Sequence, residues 1–74
     1  MTAKVYDRDQ EYTLEQVGEA QDQLNTISPG CTRERVRAHG RFEFPLNTEL
    51  TTQQQTTFED WAVDNHPDWE VVWR

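Results

Sequence analysis

Asp7, Asp9 and Glu11 stand at alternate positions, a spacing at which carboxylates can begin to chelate a hard cation. A calcium loop starts in this way, but its glycine and its closing glutamate are missing here, so the triplet reads as a polar turn. His39 and His66 lie far apart, with no cysteine or carboxylate at ligand spacing beside either, which argues against a metal centre. Cys31 is the single cysteine, which excludes an internal disulfide and any site built from several thiolates. Because it follows the turn signal Ser28-Pro29-Gly30, it reads as a small, partly buried hydrophobe at a strand start. A reactive thiol or an intermolecular bridge is the competing reading. There is no Ser-His-Asp grouping, no glycine-rich phosphate loop and no shielded carboxylate pair. We therefore expect no enzyme activity, no catalytic residue, no cofactor and no metal.

Recognition is the remaining chemistry. Arg33, Arg35, Arg37 and Arg41 are four of the chain's six arginines, and all stand at odd positions. Val36, Ala38, Gly40, Phe42, Phe44 and Leu46 occupy the even positions alongside. This alternation predicts extended chain with one buried and one wet face, the guanidiniums on the wet one. The segment admits two arrangements. It is either one long strand over about 33–46, with Gly40 as a bulge, or a hairpin turning at His39-Gly40-Arg41. The three-residue hairpin loop is preferred, because it sets Val36 opposite Phe44, Ala38 opposite Phe42 and Arg37 opposite Glu43. A two-residue loop would place Val36 opposite Glu43 and mix the faces.

The elements around this segment follow from periodicity and capping. Residues 2–8 alternate as a strand, with Ala3 and Val5 on one face and Lys4 and Tyr6 on the other. Thr13 with Gln16 forms a capping-box pattern ahead of a helix over about 14–27, whose apolar stripe is Leu14, Val17, Ala20, Leu24 and Ile27. Thr51 or Thr52 caps a second helix over about 53–65, with Phe58, Trp61 and Ala62 inward and Leu50 stapling its start. Asn65-His66-Pro67 stops it, and Trp69 to Arg74 makes a last strand. Trp69, Val71 and Trp73 share one face of that strand. Apolar area favours that face as the core, the alternative being Val72 inward and both tryptophans on the open sheet. The order β-α-β-β-α-β predicts one α+β domain over 1–74, a ferredoxin-like split βαβ with two helices on one face of an antiparallel sheet. The long-strand variant would be β-α-β-α-β.

With 74 residues and 34 % apolar content, a single core has little to spare, and three Trp, three Phe and two Tyr must supply much of it. Support from a partner, a second copy or high salt fits so thin a margin. No apolar run approaches the roughly 18 residues of a membrane span, and no signal-peptide core is seen, so a soluble cytoplasmic protein is expected. The formal net charge is −7, from fourteen acids against one lysine and six arginines. Residues 33–41 alone sum to +3 (four Arg, one Glu), so the others sum to −10.

This surface chemistry resembles that of salt-in halophilic archaea and their viruses, where carboxylates keep proteins hydrated in screening salt. A high-GC bacterium or its phage, or an acidic mimic of nucleic acid, would leave the same composition. In size and charge the chain resembles small accessory proteins encoded by phages and archaeal viruses, among them inhibitors of host nucleases. The resemblance implies a non-catalytic protein-binding module whose helix-borne acids, Glu15, Glu19, Asp22, Glu59, Asp60 and Asp64, occupy a basic nucleic-acid channel on a protein partner. A second reading is single-stranded nucleic-acid binding by the open sheet face through Tyr6, Arg33, Arg35, Arg37 and Arg41, as RNA-recognition sheets do. Net −7 disfavours it at long range. A third is a structural, virion-type or homo-oligomeric component that pairs exposed strand edges.

Overall fold

The computed structural model describes residues 1–74. Alternation in Thr2–Asp7 produces strand β1, with Ala3, Val5 and Asp7 buried and Thr2, Lys4 and Tyr6 turned to the other side. Thr13 caps helix α1 (Leu14–Ile27): its hydroxyl accepts from the Gln16 amide at 3.1 Å, and the Gln16 side-chain oxygen accepts from the Thr13 amide at 3.0 Å. Two of the donors that a helix start leaves free are thereby satisfied. Strands β2 (Val36–Ala38) and β3 (Arg41–Pro45) form a hairpin. Helix α2 (Thr52–Asn65) repeats the reciprocal cap with Thr51 and Gln54. Strand β4 (Trp69–Trp73) follows Pro67.

The sheet runs β2-β3-β1-β4 with every neighbouring pair antiparallel. Val17, Ala20 and Leu24 of α1 and Phe58 and Ala62 of α2 share one core with Ala3, Val5, Phe42, Phe44 and Trp69 of the strands. Both helices therefore cover the same face, which is the ferredoxin-like arrangement the element order predicts. The hairpin excludes the single long strand. Both tryptophans of β4 lie on the helix side, Trp69 buried and Trp73 half-buried, as apolar area favours. Cys31 is also buried, its thiol 3.4 Å from the Leu24 carbonyl, and burial pushes its pKa up, against a reactive thiol.

Three expectations need correction. Leu14 is 60 % exposed and contributes nothing to the buried stripe of α1. The hairpin loop has two residues, His39 and Gly40, with Ala38 opposite Arg41, Arg37 opposite Phe42 and Val36 opposite Glu43. Gly40 takes φ +74°, the left-handed conformation that glycine adopts without strain. Face mixing, the objection to this loop, is resolved upstream. Thr32 pairs with Leu46, so residues 33–35 on one strand face only residues 44 and 45 on the other. The extra residue reverses the parity of everything between it and the turn.

In consequence Arg37 and Arg35 leave the open face, and Val36, 40 % exposed, joins it. Arg35 reaches across to α1, where its Nε donates to the Gln21 side-chain oxygen and its guanidinium lies over Gly18. A Cβ built on Gly18 would meet Arg35 Nη2 at 3.5 Å, an ordinary van der Waals contact. Gly18 carries no positive φ either. Gly18→Ala should therefore stabilise the protein by about 0.5–1 kcal/mol, the helix-interior penalty of glycine, read as a higher urea midpoint at unchanged slope.

Candidate functional site

On the open sheet face, side chains line up in rows across the strands. Ala38, Arg41, Tyr6 and Glu70 make one row, and Val36, Glu43, Lys4 and Val72 the next. Positive and negative groups alternate along it. Arg41 Nε lies 2.8 Å from Glu43 Oε2, and that hydrogen bond and charge raise the pKa of a guanidinium that is always protonated. Of the five sheet-face residues picked from the sequence, this places only Tyr6 and Arg41 side by side. Arg33 is exposed in the offset segment, its amide donating to the Pro45 carbonyl. Arg35 and Arg37 stand on the helix side. The open face is a charge-balanced surface, not an arginine array.

The helices' own charges are of one sign, and the one guanidinium laid against them is that of Arg35, over Gly18. α1 and α2 together carry six carboxylates and neither lysine nor arginine. Subtracting that −6 from the net −7 leaves −1 for the remainder of the chain. Glu15, Glu19 and Asp22 line a shallow groove between the helices, with Gly18, Gln23 and Thr26 beside them and the half-buried Trp61 at its wall. Asp60 and Asp64 are exposed one turn apart on α2. Glu59 is separated from these, half-buried against β4, where its Oε2 accepts from Trp73 Nε1 at 3.4 Å.

One end of this layer carries an arrangement that pattern reading missed. Asp7, though ionisable, is only 8 % exposed; its Oδ1 accepts from the Asp9 amide at 2.9 Å and its Oδ2 from Trp69 Nε1 at 3.2 Å. The Trp69 indole stacks on the His66 ring at 3.8 Å, and His66 Nε2 lies 3.2 Å from Glu19 Oε1. A continuous path thus joins β1, β4, the turn before β4, and α1. Parity could have found its start, since position 7 continues the inward series of Ala3 and Val5. Asp9, Glu11 and Asp68 border the same depression, which brings the alternate acids of the sequence together with a fourth carboxylate. No group of three or more His, Cys, Asp or Glu is arranged to hold a metal ion.

Comparison with protein-family models, with curated proteins and with solved structures finds nothing that matches this chain.

The acidic end makes stability depend on pH. Hydrogen bonding to Asp68, then the charge of Asp68, burial, and the charges of Asp7 and Glu11 raise the Asp9 pKa above its ordinary 3.8. A carboxyl raised in the folded state contributes stability that is present below the unfolded value and lost as pH climbs through the folded one. Asp68→Asn should therefore raise the melting temperature at pH 7, and the advantage should vanish below pH 3.8. Thermal melts of both proteins across that interval measure it.

Proposed function

We propose that this chain is a non-catalytic interaction module whose acidic helix layer docks on the basic, nucleic-acid-binding surface of a partner protein. One observation carries the reading: two whole helices bear six carboxylates without a compensating lysine or arginine. Six acids against the single guanidinium of Arg35, which lies over Gly18, leave a net negative field that attracts a cationic surface and speeds encounter with it. Glu15, Glu19 and Asp22 supply the anionic groups beside a groove. Trp61 supplies an aromatic ring at its wall, the kind of side chain that contributes most at interface centres. Asp60 and Asp64 extend the charge along α2. Glu59 is committed to Trp73 and takes the smallest part.

In this reading the protein is an accessory inhibitor of the sort viruses and phages encode, occupying a channel that would otherwise hold nucleic acid. The high acid content would keep it soluble in a salt-rich cytoplasm. Single-stranded nucleic acid is the weaker ligand, because Arg41 is neutralised by Glu43 and Arg35 is engaged on α1.

The test is competition. A partner captured from lysate of the native host by the immobilised protein should be displaced by an unrelated DNA oligonucleotide. Its affinity should fall steeply as salt rises, as contacts that replace phosphates do. The triple variant Glu15→Lys, Glu19→Lys, Asp22→Lys should bind at least about a hundredfold more weakly, since three attractive contacts become repulsive. Arg33→Glu with Arg41→Glu should bind as the parent does. Loss of binding in the arginine variant with retention in the acidic one would reverse the assignment of surfaces. Direct binding of the oligonucleotide, followed by fluorescence anisotropy, would favour the sheet.

A further inference from the structure

The sheet has two edges, and they are unlike. β2 is three residues long, follows the offset at 33–35, carries Arg37 at its centre and is preceded by Arg33 and Arg35, the features by which proteins blunt an edge. β4, at the other edge, is a five-residue strand, Trp-Glu-Val-Val-Trp, without proline, bulge or lysine. Its outward backbone groups can be identified. Arg74 exchanges both backbone hydrogen bonds with Thr2, and Asp68 accepts from Arg8, so the even residues of this strand bond inward to β1. In an antiparallel ladder the odd residues then direct N–H and C=O away from the sheet. Val71 and Trp73 thus leave two donors and two acceptors aimed outward at the edge, and no neighbouring strand covers them.

We infer that β4 pairs antiparallel with β4 of a second copy, about a two-fold axis through Val72, to form a continuous eight-stranded sheet. Three observations select this occupant and this register. Directly opposed residues must share a face, so only registers that pair residues of equal parity are allowed. With Val72 opposite itself, Val71 opposes the partner's Trp73 and Trp73 the partner's Val71, and all four outward groups of each chain find partners. The same register sets Glu70 against the partner's Arg74 and Arg74 against the partner's Glu70, two opposite-charge pairs on the open face. Shifting the axis to Val71 would set Glu70 against Val72 and leave the Trp73 carbonyl unpaired. Shifting it to Glu70 would oppose two carboxylates.

The flank of the edge is suited to a neighbour as well. Val63, 58 % exposed, lies one turn along α2 from Glu59, whose carboxylate meets Trp73, so Val63 faces the β4 side. With the half-buried Val71 and Trp73 on the same face it forms an apolar strip that a second copy of the helix and strand would cover. The interhelical groove lies on the other side of α2 and remains open, so the inference is independent of the function proposed above.

Sedimentation velocity of the whole chain from about 10 to about 500 μM reads the result as a rise in mass toward twice 8.8 kDa. Val71→Pro removes one outward donor without touching the ladder to β1 and should abolish the rise. The charge swap tests register without burdening the core. Glu70→Arg alone and Arg74→Glu alone should each weaken association by about tenfold, because both symmetry-related pairs become repulsive. The double variant Glu70→Arg with Arg74→Glu should restore it. A single-copy mass across the whole range, with the native circular dichroism spectrum retained, overturns the inference. So does association that persists in a folded Val71→Pro variant, or that the double swap fails to restore.

Discussion

Ring-to-ring contact links the layers of this molecule, the large rings of Phe42, Phe44, Phe58 and Trp69 filling a core whose other members are small or few-carbon side chains such as Ala3, Val5, Val17 and Ala20. Tyr12 meets Phe42 at 5.1 Å, Phe42 meets Phe44 at 5.6 Å and Trp69 at 5.2 Å, and Trp69 meets Trp61 at 6.2 Å. From Trp61 the path continues to Phe58 at 5.6 Å and from there to Trp73 at 5.8 Å. Most of these pairs are tilted or edge-to-face, the geometry that the ring quadrupole favours. The network joins the segment before α1, two strands and α2 without a break. α1, which carries no ring of this network, joins the same core through Val17, Ala20 and Leu24. Phe42 lies where most paths cross, opposite Val5 on β1 and Arg37 on β2.

Four of these rings carry polar handles, and three of them are used within the fold: the Tyr12 hydroxyl donates to the Ala38 carbonyl at 2.6 Å, and two indoles donate to carboxylates. Trp69 donates to buried Asp7 and Trp73 to Glu59. A carboxylate buried beside apolar rings is costly unless bonded, and Asp7 accepts two hydrogen bonds within its own sheet and turn. His66 lies on the outer side of Trp69, so the polar path to Glu19 runs along a ring face that would otherwise meet water. α1 is tied to the far end of the fold by this path as well as by its apolar stripe.

What could be read in advance follows how local each determinant is. Both helices could be read closely, because Thr13 with Gln16 and Thr51 with Gln54 are caps completed within four residues. The strands could be read from alternation, which is equally local. The direction of Arg35 and Arg37 could not. It is set by a mismatch between two anchors that lie apart in the chain. Upstream, Thr32 faces the helices, with its hydroxyl and amide both on Asn25 Oδ1 and its hydroxyl also accepting from Gln21, while Cys31 is buried beside Leu24. Downstream, Gly40 permits a tight turn that fixes Ala38 opposite Arg41. Three residues must then bridge a distance that unbroken alternation would cover with two. Period-two counting from either anchor is valid up to the offset and inverted beyond it. The acidic groove was half visible on the same logic: Glu15, Glu19 and Asp22 follow from the helical repeat, but Glu59 was drawn to Trp73 by a contact across the fold.

The distribution of charge is not the one that helix stability alone would select. Neither helix has a basic residue in its last turn, and α2 places Asp64 next to its final residue. A carboxylate there opposes the macrodipole, at a cost of roughly 0.3–1 kcal/mol where salt is low. In a 74-residue domain the total stability is on the order of 5–10 kcal/mol, so that cost is a sizeable fraction. A lysine in the last turn of α2 would relieve it without touching the core, yet all seven cationic side chains lie outside the helices. Salt would screen the penalty and spare the sign of the surface, which reconciles a thin core with an acidic layer. The physical asymmetry of the molecule is therefore a property of its layers: balanced charge on the bare sheet, unbalanced charge on the helices, and aromatic contact holding the two in register.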